Sequence, residues 1–127
     1  MEEQLKQQCQ NYLNALATSD LTAVLGLFCP DAIVHSPLYG EQKAVDFYQK
    51  LFGDTNNSIL THLDTLVNLQ TQTAALYFYY QWQLASEEEV GFHCVDIIHF
   101  DSDVKIRELR IIYDTVASRP AFMQLSN

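Results

Sequence analysis

Asp96 stands in the stretch VDIIHF, and alternation gives it apolar neighbours. On a strand, side chains two apart share a face. Phe92, Cys94, Asp96, Ile98 and Phe100 therefore point one way, and His93, Val95, Ile97 and His99 the other. A carboxyl among apolar residues has its charged form disfavoured. Held protonated, it can donate a hydrogen bond to a developing oxyanion. The preceding stretch, TAALYFYYQWQLA, puts Phe78, Tyr80, Trp82 and Leu84 on one face, a candidate cavity lining beside Asp96. Tyr77, Tyr79, Gln81 and Gln83 fall on the other. The last strand contributes Leu109, Ile111 and Tyr113 to the lining side.

Enolisation beside a carbonyl also needs a base within reach of the proton. VHSPLYG is the end of a strand stopped by Pro37, opening into a turn. Ser36 in that stretch is too weak a base to act unaided. His35 points away from Ser36 if the strand is regular to its end. His62 lies on a strand whose alternation is imperfect, so its face is not assigned; a solvated histidine is the plainer reading of both. Asp114 reads as a cap or ion-pair partner, and the EEE run at 87–89 as a solvated hairpin tip. No His/Cys/Asp/Glu spacing suggests a metal and no glycine-rich loop suggests a nucleotide, so neither metal nor cofactor is expected.

The elements that must position these residues follow from periodicity. In EEQLKQQCQNYLNALATSD, Leu5, Cys9, Tyr12, Leu13 and Leu16 recur at helical spacing, with Tyr12 on the apolar side. SDLTAVLGLF follows with a cap at Ser19 or Asp20. DAIVHS is a short strand. GEQKAVDFYQKLFG reads as a third helix, opening after Gly40 and closing at Gly53. SILTHLDTLVNLQ, TAALYFYYQWQLA, FHCVDIIHF and KIRELRIIYDT are consecutive strands. The order α-α-β-α-β-β-β-β is an α+β layout with helices on one face of an antiparallel sheet.

The chain of 127 residues is one domain, 1–127. Its formal net charge of −9 and seven scattered basic residues argue against nucleic acid and anionic membranes as partners. No apolar run reaches the ~18 residues of a membrane span, and MEEQLKQQCQ has no signal-peptide core; a cytoplasmic protein is expected. Cys9, Cys29 and Cys94 are odd in number and widely spaced, which fits reduced thiols better than disulfides.

Three pieces, YLNALATSDLTAVLGLFCPDAIVHSP, GEQKAVDFYQKL and VDIIHFDSDVKIRELRIIYD, together resemble the SnoaL-like and ketosteroid-isomerase-like families of the nuclear-transport-factor-2-like superfamily. The resemblance spans nearly the whole chain. It implies a cone-shaped curved sheet of the cystatin-like kind wrapped around N-terminal helices, an apolar pocket and a dimer. Carried over residue by residue, it implies that Tyr12 and a protonated Asp96 donate to a substrate oxygen and that Tyr48 supports Tyr12. It also implies that Ser36 stands where the isomerases carry their aspartate base. The last-strand acid of the related epoxide hydrolases would fall near Ile111, so their triad is absent.

The expectation is thus a pocket for a small hydrophobic, carbonyl-bearing ligand. Tyr12, Tyr48 and Asp96 would carry any chemistry, of isomerase, cyclase or dehydratase type. Ser36, Phe78, Tyr80, Trp82, Cys94, Leu109, Ile111 and Tyr113 would line the pocket. The alternative is a non-catalytic binding or dimerisation module. The open sheet face, bearing Tyr77, Tyr79, Gln81, Gln83, His93, Val95, Ile97, His99, Arg110 and Ile112, is the expected homodimer surface.

Overall fold

The computed structural model describes residues 1–125. Helix α1, Glu2–Ala17, buries Leu5, Cys9, Tyr12, Leu13, Ala15 and Leu16, one stripe of an amphipathic surface. Glu2 and Glu3 in its first turn suit the positive end of the helix. Asp20, rather than Ser19, caps the short α2, Leu21–Leu25, accepting from the Ala23 amide at 3.0 Å. Ser19 instead adopts φ 52° and turns the chain between the two helices.

Strand β1 runs Phe28–Ser36, three residues earlier than the sequence pattern suggested. Its pairing with the last strand is irregular between Phe28 and Ile33, and Pro30 sits within that irregularity, where no ladder N–H is demanded. The next segment corrects the expected third helix. Gly40–Lys43 is not helical; it forms β2, antiparallel to β1, with Ser36 opposite Gly40 and Ile33 opposite Lys43. Gly40 takes φ 79°, which a glycine adopts without a Cβ penalty. Pairing to β1 overrides the helical pattern of GEQK, and α3 occupies only Ala44–Gly53, capped at its end by Asp54.

Four strands follow: β3 Thr55–Asn68, β4 Thr73–Leu84, β5 Glu89–Phe100 and β6 Ile106–Ile112. They form an antiparallel meander, and β1 joins it in parallel beside β6. The order β2-β1-β6-β5-β4-β3 is a curved, unclosed six-stranded sheet. Helix α1 lies against β3 and β4, and α3 against β1, β2 and β3. A helix not expected from the sequence, α4 at Ser118–Gln124, returns the chain to the strand ends. There Arg119 donates to the Pro37 carbonyl at 2.7 Å, and Phe122 meets the Tyr39 ring edge-on.

Alternation holds on β4, β5 and β6. Residues 78, 80, 82, 84, 94, 96, 98, 100 and 109 are buried on the concave side. The imperfect pattern of β3 has a cause: a register shift between His62 and Asp64 exchanges the two faces.

Candidate functional site

The concave face holds a cavity between α1, α3 and strands β1, β4, β5 and β6. Tyr12 enters from α1, Ser36 from the end of β1, and Asp96 with Cys94 from β5. Phe78, Tyr80 and Trp82 on β4 and Ile111 and Tyr113 at the end of β6 supply apolar walls. About 40 Å³ is open to the centre of a water-sized molecule, the room of roughly three waters.

Three walls have their polar ends engaged elsewhere, so their ring atoms are what the cavity meets. The Trp82 indole donates to Thr55 Oγ1 at 2.9 Å, the Tyr80 hydroxyl pairs with Ser58 Oγ at 3.0 Å, and the Tyr39 hydroxyl donates to Asp54 Oδ2 at 2.7 Å. Phe92 and Tyr113 stack with centroids 4.0 Å apart and planes 16° from parallel.

Asp96 is 1% exposed. Among the described residues its carboxyl has one hydrogen-bond partner, the Cys94 thiol, which donates to Oδ1 at 3.3 Å. Burial pushes the Asp96 pKa up to about 7, and the thiol's donation lowers it only in part. The carboxyl therefore changes charge near neutrality. Burial, with Asp96 close by, drives the Cys94 thiol well above its ordinary range and Cys9 to about 12, so both stay protonated.

Tyr12 and Tyr48 are fully buried, and their hydroxyls are 2.7 Å apart. Their rings meet edge-on with centroids 6.1 Å apart. Burial raises both phenols well above the usual tyrosine range, and the charge of Asp96 adds to each. Tyr48 has no other partner for its hydroxyl among the described residues. Leaving its hydrogen buried and unbonded would cost ~1–3 kcal/mol. The economical arrangement has Tyr48 donating to Tyr12, which frees the Tyr12 hydrogen for the cavity. Tyr48 itself stands behind Tyr12 and does not line the cavity.

Ser36 has a structural task. Its Oγ accepts the amides of Leu38 at 3.1 Å and Tyr39 at 3.0 Å, closing the turn at Pro37. With its acceptor positions taken by those amides, the hydroxyl keeps its hydrogen as its remaining resource. Neither candidate histidine faces the cavity. His35 bridges Glu108, with Nε2 2.8 Å from the carboxylate, and Glu41, with Nδ1 3.4 Å away, on the opposite side of β1. His62 is exposed at the β3 register shift and bonds Thr65. Among the described residues Asp96 is the only carboxyl that lines the cavity, and no Lys, Arg or His does.

One lining residue needs correction. Leu109 lies on the concave side but is fully buried in the core, outside the cavity. It pairs with Ile98 and Val34, one step deeper than the Asp96–Ile111 pair, where the cone is packed shut. Leu16, Tyr39, Phe47, Leu51 and Phe92 line the cavity and were not assigned to the lining from the sequence. Leu16 continues the Tyr12 helix face, Phe47 and Leu51 share one face of α3 at i,i+4, and Phe92 shares the Asp96 face, so spacing held the signal for these four. Tyr39 sits in a turn, where no periodicity applies.

The sequence matches no family model and no curated protein. Its backbone does match solved structures. The BvnE pinacolase from Penicillium brevicompactum superimposes with TM-score 0.79 at 13% identity, over 98% of this chain and 99% of that one. A SnoaL-like protein of unknown function from Burkholderia thailandensis gives 0.71 at 13%, over 90% and 97%. The epoxide hydrolase/cyclase-like enzyme SalBIII, described in pyran ring formation in the polyether salinomycin, gives 0.76 at 14%, over 89% and 92%. The chain has a SnoaL-like fold. At these identities the likeness concerns the backbone alone. Within the SnoaL-like cone, what this chain adds is its own set of polar groups: the Tyr48–Tyr12 hydroxyl pair, a thiol-bonded Asp96 and a turn-closing Ser36. No helix of the described residues is long and apolar enough to cross a membrane.

Proposed function

We propose that the cone binds a small, uncharged hydrophobic compound through a carbonyl oxygen, with Tyr12 and protonated Asp96 as donors. The observation that carries this reading is Asp96: a carboxyl shut into an apolar cavity, bonded only to a thiol among the described residues, and titrating at about 7. An oxygen acceptor placed between Tyr12 and Asp96 would take two hydrogen bonds in a site of low dielectric, where they are strong. The absence of cations from the lining disfavours carboxylates and phosphates.

Polarising a carbonyl is half of enolisation. The other half requires a base, and Asp96 cannot donate to the oxygen and take the α-proton at once. Binding is therefore the principal activity, with negligible isomerisation of 3-oxosteroids by the wild type. Asp at position 36 could accept the same two turn amides, so Ser36→Asp is the variant in which isomerase-type turnover should rise. A placed base accelerates proton abstraction by about 10²–10⁴-fold.

The same reading includes a two-fold dimer through the convex face of the sheet, where Leu66 is 62%, Ile59 52% and Ile112 50% exposed beside Tyr77 and Tyr79. Apolar side chains clustered on an open sheet are commonly an interface.

Trp82 is the only tryptophan and lines the cavity, so its fluorescence reports occupancy. Titration with acetone, a carbonyl compound of four heavy atoms, from pH 5 to 9 should show saturable quenching that weakens above pH 7 as Asp96 loses its proton. Asp96→Asn, whose amide still donates, should bind with no such pH dependence. Quenching that is indifferent to pH in the wild type would defeat the reading.

A further inference from the structure

We infer that Cys94 is a positioning residue for Asp96: its thiol donates to Oδ1 and so leaves the carboxyl hydroxyl on Oδ2, free to be presented to a ligand oxygen. The use of that hydroxyl rests on the carbonyl-binding reading; the contact between thiol and carboxyl does not.

Cys94 and Asp96 stand two apart on β5, so both side chains leave its concave face. They are 2% and 1% exposed, and Sγ lies 3.3 Å from Oδ1. A protonated carboxyl has two unlike oxygens, a carbonyl that only accepts and a hydroxyl that donates. The thiol hydrogen is best met by the carbonyl oxygen. With the hydroxyl on Oδ1 instead, the stronger acceptor would be turned away from the one donor bonded to this carboxyl among the described residues. The thiol therefore selects the sense of the acid, and Oδ2 holds the hydrogen that is left to give.

The titratable groups close to Asp96 are Cys9 and Tyr12 from α1, Tyr48 from α3, Tyr80 from β4, Cys94 from β5 itself and Tyr113 just beyond β6. Every one is a thiol or phenol that burial pushes above its ordinary range, so each keeps its hydrogen near neutrality. From β1 comes Ser36, which does not titrate, and Arg119 on α4 is turned to the Pro37 carbonyl. Asp96 thus changes charge alone among its neighbours. A donor bonds a carboxylate more strongly than it bonds the neutral acid. The thiol accordingly makes the Asp96 proton easier to lose, against the larger effect of burial. Without the thiol, Asp96 should keep its proton, and the site its ligand, to higher pH.

The test is the acetone titration of Trp82 fluorescence from pH 5 to 9 in Cys94→Ala and Cys94→Ser, side chains of nearly one size that differ by a hydroxyl. Cys94→Ala should move the midpoint of binding upwards from about pH 7, by up to about one pH unit. Cys94→Ser, whose hydroxyl still donates, should bring it back to the wild-type value or below. Loosening caused by the missing sulfur is common to both variants and weakens binding at every pH alike, so the midpoint isolates the hydrogen bond. A ligand-free signature comes from the thiol stretch in the infrared, identified as the band that Cys94→Ala removes. In the wild type it should shift to lower wavenumber as pH rises through about 7, and in Asp96→Asn it should not move. An unmoved midpoint in Cys94→Ala, or a wild-type band indifferent to pH, overturns the role of Cys94 and leaves the carbonyl site standing. Acetone that quenches at no pH overturns the carbonyl site, and with it the presentation of the hydroxyl to a ligand, whatever the band does.

Discussion

The two faces of the one sheet are made from the same strands and differ in nearly every other respect. On the concave face of β4, Phe78, Tyr80 and Trp82 are buried against helices, and their polar atoms are bonded. On the convex face, Tyr77 and Tyr79 are only half-buried, as are Ala75, Val95 and Ile97 beside them. Tyr77 pairs its hydroxyl with His93 Nδ1 at 3.2 Å, and Tyr79 meets the same imidazole edge-on. Both faces of β4 carry aromatic rings. What separates them is coverage: α1 and α3 desolvate one face, and nothing among the described residues packs over the other. A titratable group on the covered side is pushed towards its neutral form, as Asp96 is. The difference teaches that the chemistry of this chain comes from where the helices lie, not from the strand residues alone.

The largest expected effect tests coverage directly. Phe78→Ala removes a fully buried ring and should cost ~3–5 kcal/mol in urea unfolding. Tyr79→Ala, one residue away on the other face, should cost less than ~1 kcal/mol at concentrations where the chain is monomeric. Similar losses for the two would erase the distinction between the faces.

Next comes the pH dependence of stability. The Asp96 pKa rises from 3.8 to about 7 on folding, so the folded chain holds that proton more tightly than the unfolded one. The associated stability is full below pH 4, declines as pH rises towards 7, and is flat above. The linked decline is on the order of 4 kcal/mol. Unfolding at pH 5 and pH 8 should show roughly two-thirds of it in the wild type, and Asp96→Asn should remove it. A variant that declines as steeply as the wild type would place the effect on another group.

Tyr48→Phe keeps the ring contacts and deletes the hydrogen bond to Tyr12. Loss of ~1 kcal/mol is expected, together with weaker ketone binding, because Tyr12 then loses the donor that orients it. Unaltered binding would separate Tyr48 from the site.

The convex face supplies the smallest change in stability and a large change in assembly. Ile112→Lys should leave monomer unfolding within ~0.5 kcal/mol, while light scattering should shift from twice 14.6 kDa to 14.6 kDa at micromolar concentration. A wild-type chain that scatters as a monomer would remove the proposed dimer.

Much of this was legible in the chain itself. Period-two alternation on β4, β5 and β6 identified which residues share the Asp96 face, because strand geometry leaves a side chain only two directions. Helical spacing put Tyr12 on the buried side of α1. Three things were not legible. GEQK carries a helix-compatible pattern, and only its pairing with IVHS makes it β2. The inward face of β3 was hidden because the register shift after His62 reverses parity partway along. Leu109 has the parity of a lining residue, but depth along the cone is a tertiary coordinate that alternation does not contain.

The sequence by itself determined the order of elements in the meander and the faces of β4 and β5. These are local properties, set by periodicity and residue type. The tertiary structure alone decided that Ser36 serves a turn and that Tyr48 stands behind Tyr12. It also decided that both candidate histidines lie outside the cone. Each of these joins residues far apart in the chain or depends on the course of a turn. Hydrogen bonding and desolvation at such positions depend on distances of a few ångströms, which exist only once the sheet has curved and the helices have covered it.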